Sequence, residues 1–356
     1  MEKKDFNTEF SEFALTDEQT WLLFSLQKYC AVNDANTASS VEKRNLKENW
    51  IKQWSGILTK TFTDKNVQSL ITSKQELVTA FKSELTENNT KTWFHLIILE
   101  AITFNAYFPL SNDKDGVKKY KGLIMKNQVD CIQQIISQVD YDTQGLAERY
   151  LKIYHKSLNV AEGKAQKVVI KVLVGLLFAA VTAATAGAFA GPIAVLLVGS
   201  QFPTLSGAAL VSACLAFLGG GAIVAGGAGM AGGVLVIVGG GALLGSVAGG
   251  VAIAGKETLF NNSPKLVLSF AAKVNVVLRE IILNEQKDTV KAQEIIAALK
   301  EQIAQQNAEL SRLKNADGEN KKAISNLKKS IEYMERIVGN MKKYSSSFEL
   351  GMSYDS

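Results

Sequence analysis

From Val172 to Gly255 the chain has no lysine, arginine, histidine, aspartate, glutamate or tyrosine, and Cys214 is its one ionisable side chain. A bilayer is crossed by ~20 apolar residues, and this run holds several such lengths. So long an uncharged stretch excludes an ordinary water-facing surface and points to lipid. Other residue types are scarce along the whole chain. The three cysteines, Cys30, Cys131 and Cys214, are odd in number and scattered, which excludes a disulfide framework and fits a reducing compartment. The two histidines, His95 and His155, stand at no metal-ligand spacing with Cys, Asp or Glu, so no metal and no cofactor is expected. The N-terminus, MEKKDFNTEFSEF, has charge but no apolar stretch after it, which excludes a cleavable leader there. Synthesis in a cytoplasm is expected, followed by action at a membrane, the inner membrane before a secreted fate.

Charge of either sign is modest overall. The net charge is +5 over 356 residues, and no compact basic stripe with interleaved aromatics stands out, so nucleic acid is not an expected partner. The informative cations flank the apolar run. Lys164, Lys167 and Lys171 precede it, and Lys256, Lys265 and Lys273 follow it. Lys167, Lys171 and Lys256 mark the membrane boundary in this reading, where each contributes ~1 kcal/mol against anionic headgroups. The plainer reading is that they are solvated lysines.

Catalytic motifs are absent or incomplete. Gly227 to Gly232 fits the GxGxxG pattern inside a glycine-rich tract, but no acid follows at the ribose-binding distance. Gly250 to Lys256 fits GxxxxGK, but Glu257 stands where a magnesium-binding Ser or Thr is needed, and its carboxylate would repel phosphate. No Ser-His-Asp or Cys-His arrangement has a recognisable context. The sequence reads as a non-enzyme.

The fold class reads as all-α, in four stretches. Residues 1–160 are expected to form an N-terminal helical domain. Thr16-Asp17-Glu18-Gln19 opens its first helix with a capping-box pattern. A second helix carries Val41, Leu46, Trp50, Ile51 and Trp54 at helical spacings. A third is expected from about Val67 to Leu85. The most apolar, WFHLIILEAITFNAYF, is expected to run to Phe108, stop at Pro109 and sit at the centre. Later helices are read from Val117, Tyr120, Leu123 and Ile124, then Val129 to Val139, then Leu146 to Tyr154. Trp21, Trp50, Trp54 and Trp93 fall on helix faces as core residues, and His95 as a hydrogen-bonded core histidine.

Residues 161–257 are the apolar membrane-inserting region. Gly191-Pro192 and Gln201-Phe202-Pro203-Thr204 punctuate it. Basic residues at both ends favour an even number of crossings. Two are expected, near Ile170 to Val198 and Ala222 to Gly250; four short crossings would leave almost no loops. Small residues recur every fourth position: Gly221, Ala225, Gly229 and Gly233; Gly241, Gly245 and Gly249; Ala183, Gly187 and Gly191. Each series permits close backbone approach between membrane helices, or else keeps the segment plastic. VLVIV at 234–238 leaves a short β-hairpin tongue open.

Residues 258–345 are expected to be a coiled-coil region. A helix starts at Asn261-Asn262-Ser263-Pro264, and from Leu278 a heptad seam runs through Leu299, Ile303, Leu310, Leu313, Ile324, Leu327, Ile331 and Met334. Glu285 and Gln306 are its polar positions. A turn or kink is expected at Asp317-Gly318. Residues 346–356 are expected to be an unstructured tail. Partners implied are a lipid bilayer, and further copies of the chain or a partner coiled-coil protein.

Long amphipathic helices interrupted by one apolar head resemble the layout of the α-helical pore-forming toxins, of the cytolysin A and haemolytic or non-haemolytic enterotoxin kind. The resemblance covers the architecture of most of the chain and no residue motif. It implies an apolar head held by the soluble form and inserted on assembly. LSGAALVSACLAFLGGGAIVAGGAGMAGG is similar to glycine-rich elements of bacterial membrane effectors. Three functions are compatible with the sequence: a membrane-permeabilising effector, a membrane-anchored coiled-coil scaffold without a pore, and a secreted subunit of a multi-component toxin.

Overall fold

A computed structural model describes residues 15–62, 69–88, 90–104, 106–107, 119–120, 122–140, 143–163, 264–315 and 321–351, with residues 204–205, 209 and 213 of the apolar run. All regular structure among them is helical. The expected crossings, the β-tongue, Lys164, Lys167, Lys171, Lys256, the glycine and alanine series, and Asp317-Gly318 lie outside the described residues. No described helix is long and apolar enough to cross a membrane.

The N-terminal half contributes six helices: α1 (Asp17–Asn36), α2 (Val41–Phe62), α3 (Lys74–Glu87), α4 (Thr92–Thr103), α5 (Gln128–Val139) and α6 (Leu146–Glu162). The capping box at Thr16 is present: Gln19 N–H donates to Thr16 Oγ1 at 3.2 Å, and Thr16 N–H to Gln19 Oε1 at 3.0 Å. Every residue of α4 from Thr92 to Ile102 is buried, because the helix is apolar on all sides and packs against α1, α5 and α6. Trp50 and Trp54, one turn apart on α2, stack with ring centroids 5.4 Å apart. Trp93 is buried as well, and Trp21 is partly buried against the core.

Three expected boundaries are corrected. The third helix begins at Lys74, because Ser73 caps it by accepting from Glu76 N–H. Leu70 and Ile71 still reach the core from the preceding segment, where Ile71 N–H donates to Ser25 Oγ. Helix α4 ends at Thr103, before Phe108. Phe104 is extended and Tyr107 takes φ +66°, which brings the Tyr107 hydroxyl to Asp34 at 2.6 Å. Lys119 is helical, but Tyr120 and Gly122 are turn residues, Gly122 with φ +85°, and Leu123 to Met125 lie outside any helix.

The C-terminal half returns through α7 (Pro264–Val276), a π-helical segment (Val277–Glu285), α8 (Thr289–Asn315) and α9 (Lys321–Glu349). The heptad seam is not continuous: Lys287 at φ +57° breaks the chain between the π-helical segment and α8, and Asp288 restarts it by accepting from Lys291 N–H at 2.8 Å. Glu285 is exposed there, whereas Gln306 is buried. Gln293 near the start of α8 donates to Ser345 and Glu349 near the end of α9, each at 3.1 Å. The two helices are therefore antiparallel, and the chain reverses between Asn315 and Lys321. Leu299, Leu310, Leu327, Ile331 and Met334 are buried in the core, and Ile303, Leu313 and Ile324 pack partly buried against it. Helix α9 extends through Ser346 to Glu349, taking in the first residues of the tail.

One continuous hydrophobic core runs from Leu15 to Met341. Helix α7 contributes to it between α6 and α9, so the segment after the apolar run is packed into the N-terminal helices.

Candidate functional site

The site is the root of the apolar run, where α6 leads into it and α7 leads out. Helix α6 stops at Gly163, which takes φ +69° and closes the helix with N–H bonds to the carbonyls of Asn159 and Val160. Only glycine adopts this left-handed cap without cost. Arg336 of α9 covers the same helix end, with Nη1 donating to the Ala161 carbonyl at 2.8 Å. A cation there also complements the negative end of the α6 dipole. Helix α7 opens with Pro264, whose missing N–H is no loss at a first helical position.

Polar pairs fix how α6 and α7 meet. Tyr154 Oη and Ser269 Oγ lie 2.8 Å apart. Asn275 Nδ2 donates to Ser157 Oγ at 2.9 Å and to Asn340 Oδ1 of α9 at 3.1 Å. Arg149 Nε donates to Glu280 at 2.8 Å. From Ser157–Asn275 to Arg149–Glu280 residue numbers fall along α6 while they rise from α7 into the π-helical segment, so the two run antiparallel. Gly163 and Pro264 consequently lie at the same end of this helix pair. The two residues that bracket the apolar run in sequence therefore lie at one pole of the helical body.

The most deeply buried polar contact at the root is an ion pair inside the core. Lys273 Nζ donates to Glu100 Oε2 at 2.8 Å, with side chains 0% and 2% exposed. It joins α7 to α4, the most buried helix of the N-terminal half. Burial pulls the Lys273 pKa down, and Glu100 opposes that shift. Lys273 therefore cannot serve as a headgroup contact, which corrects the sequence expectation for that residue. Burial also pushes the Tyr154 hydroxyl pKa up, leaving it protonated as a hydrogen-bonding group. Tyr154, Ser269, Lys273 and Glu100 are all buried and engaged with one another in two pairs. The arrangement can hold helices in register.

Two further polar clusters brace the body. His95 Nδ1 lies 2.7 Å from Tyr150 Oη, linking α4 to α6. Burial lowers the His95 pKa to about 4, with Glu285 and Asp140 opposing the shift and Lys91 and Arg149 adding to it. Asp34 accepts from Tyr107, from Lys47 and from the Lys126 N–H. Cys30 and Cys131 are buried and unbridged. Among the described residues no group of three or more His, Cys, Asp or Glu side chains is placed to hold a metal ion.

The Lys273–Glu100 pair was not anticipated, although its signal is in the sequence. Glu100 is the one charged residue in WFHLIILEAITF, and Lys273 the one in LVLSFAAKVNVVL. A single charge of each sign in two such apolar helices has no inexpensive partner but the other.

No family model matches the chain, and neither a curated protein nor a solved structure matches it.

Proposed function

We propose that the chain is a membrane-permeabilising effector. Its apolar run, Val172 to Gly255, enters the bilayer, and the helical body carries and positions it. The observation that supports this reading is the root: Gly163 and Pro264, which bracket in sequence a stretch with no charged side chain, lie at one end of the α6–α7 pair. That geometry suits an even number of crossings with both basic flanks, Lys167 and Lys171 on one side and Lys256 on the other, left at the same membrane face. Because α8 and α9 occupy each other's apolar seam within one chain, contact between copies falls to the small-residue series at Gly221, Ala225, Gly229 and Gly233 and at Gly241, Gly245 and Gly249.

Dye release tests the reading. Purified full-length chain added to dye-loaded liposomes is expected to empty them, and replacing Gly229 and Gly245 by Leu is expected to slow release by blocking close helix approach. Chain that enters liposomes and releases nothing would instead be an anchored scaffold.

A further inference from the structure

Helix α9 places basic residues at the start of each of four heptads, as Lys-Lys in three and Glu-Arg in one: KKAISNL, KKSIEYM, ERIVGNM, KKYSSSF from Lys321 to Phe348. The seam positions Ile324, Leu327, Ile331 and Met334 face inward, so the doublets share the opposite side. Lys321, Lys328, Lys329, Arg336, Lys342 and Lys343 are all exposed. At 1.5 Å per residue the stripe is about 33 Å long. A straight helix drifts about 20° per heptad, which keeps the three Lys-Lys doublets and Arg336 on one side. Glu335 sits within the stripe, and Glu332 beside it lies 3.9 Å from Arg336.

Two observations point to an anionic ligand. First, the lysines of the stripe lack carboxylate partners. Among the described residues no salt bridge joins a carboxylate to Lys321, Lys328, Lys329, Lys342 or Lys343. Lys300 of α8 stands against Lys342 and pushes its pKa down, so the α8–α9 hairpin holds two ammonium groups side by side. Second, the stripe passes the root, since Arg336 caps α6 at Ala161, two residues before Gly163.

We propose that the exposed basic stripe of α9 is a docking surface for an anionic lipid bilayer. It rests on the proposed function and adds the lipid class and the orientation. Docked by α9, the body brings Gly163 and Pro264 to the headgroups, and the run has only to turn into the adjacent bilayer. A nucleic-acid backbone offers the same charge without an apolar phase for the neighbouring run, so the lipid surface is the better match.

Co-sedimentation with vesicles decides it, using the full chain. Vesicles of phosphatidylcholine mixed with phosphatidylglycerol are expected to bind it far more tightly than phosphatidylcholine alone. Raising salt from about 0.1 M to about 1 M shortens the screening length from about 10 Å to about 3 Å and should release docked protein. Each cation near such a surface is worth about fivefold in affinity. The exposed fourfold variant Lys321→Gln, Lys328→Gln, Lys329→Gln, Lys343→Gln should therefore bind at least about a hundredfold more weakly. The same four positions changed to Arg should bind like the wild type, which separates charge from folding. Equal binding to both vesicles, an unchanged Gln variant, or tighter binding to duplex DNA than to anionic vesicles overturns the proposal. Dye release from the same vesicles is read separately. Docking without release would sink the permeabilising function and leave this surface standing.

Discussion

The ion pair at the root yields the sharpest prediction. Lys273 and Glu100 are fully desolvated at 2.8 Å. With an effective dielectric constant of about 20, their attraction is about 6 kcal/mol. Removing two charges from water costs several kcal/mol per ion, so the net contribution is near zero. Breaking the pair is another matter, because it leaves one buried charge without its opposite. Glu100→Gln and Lys273→Met should each lower unfolding free energy by about 3–5 kcal/mol, a large part of a typical total of about 5–15 kcal/mol. The double variant Glu100→Leu, Lys273→Met replaces both partners with apolar groups, and its stability should fall within about 1 kcal/mol of the wild type or exceed it.

Urea unfolding followed by tryptophan fluorescence measures this, because Trp50, Trp54 and Trp93 are buried in the same continuous core. The four proteins form a double-mutant cycle. Strong coupling, with both single variants impaired and the double restored, is the expected pattern. Single variants that each lose less than about 1 kcal/mol would refute the reasoning, since α7 could not then be seated against α4.

Other outcomes follow from the same geometry. The His95 pKa is about 4 in the folded chain and about 6.5 when unfolded. Between these values the unfolded state binds the extra proton, so stability falls as pH drops from about 6.5 to about 4, by up to about 3 kcal/mol. Urea midpoints across that range should show the decline, and His95→Gln should flatten it. Gly163→Ala should cost about 1–2 kcal/mol, because φ is +69° and the new Cβ would sit 2.9 Å from Arg336 Nη1; thermal unfolding reads it. Asp34→Ala strands Lys47, whose side chain is 6% exposed, and should cost about 3–5 kcal/mol in the same urea assay.

What was legible in the sequence was local or periodic. The Thr16–Gln19 box, the buried α4 and the core placement of His95 follow from spacing alone, since each depends on residues within a turn or two. The misplaced helix ends come from chain-distant contacts. Tyr107 leaves the helical path where its hydroxyl reaches Asp34, 73 residues away. Leu123 and Ile124 looked helical, yet Gly122 turns the chain and the Lys126 N–H meets Asp34. The heptad register carried the seam across 286–288, where Lys287 breaks the helix. A seven-residue period cannot reveal such a break when the phase is kept on both sides. The α9 doublets escaped notice for a related reason. They are neither contiguous nor interleaved with aromatics, and become a stripe only once the helix faces are known.

The chemistry of the root bears on how a run of this kind could be released. An apolar contact between α6 and α7 would hold the helices by buried area, and parting them would expose that area to water. Polar keys act differently. Tyr154 with Ser269, Asn275 with Ser157, and Lys273 with Glu100 tolerate one register and penalise every other, yet each contributes little net stability because water replaces the lost bonds. These keys are strict in geometry and modest in net energy. Under the proposed function this is the combination the body needs. The two ends of the run stay aligned at one pole until the bilayer is met; Leu268, Ala271 and Ala272 of α7 and Leu158 and Ala161 of α6 are buried as well, so parting the helices also exposes apolar area that insertion of the run must offset. An apolar replacement at 100 and 273 should therefore keep the fold while slowing dye release. If that variant released dye as fast as the wild type, opening of the root would not be a step in insertion.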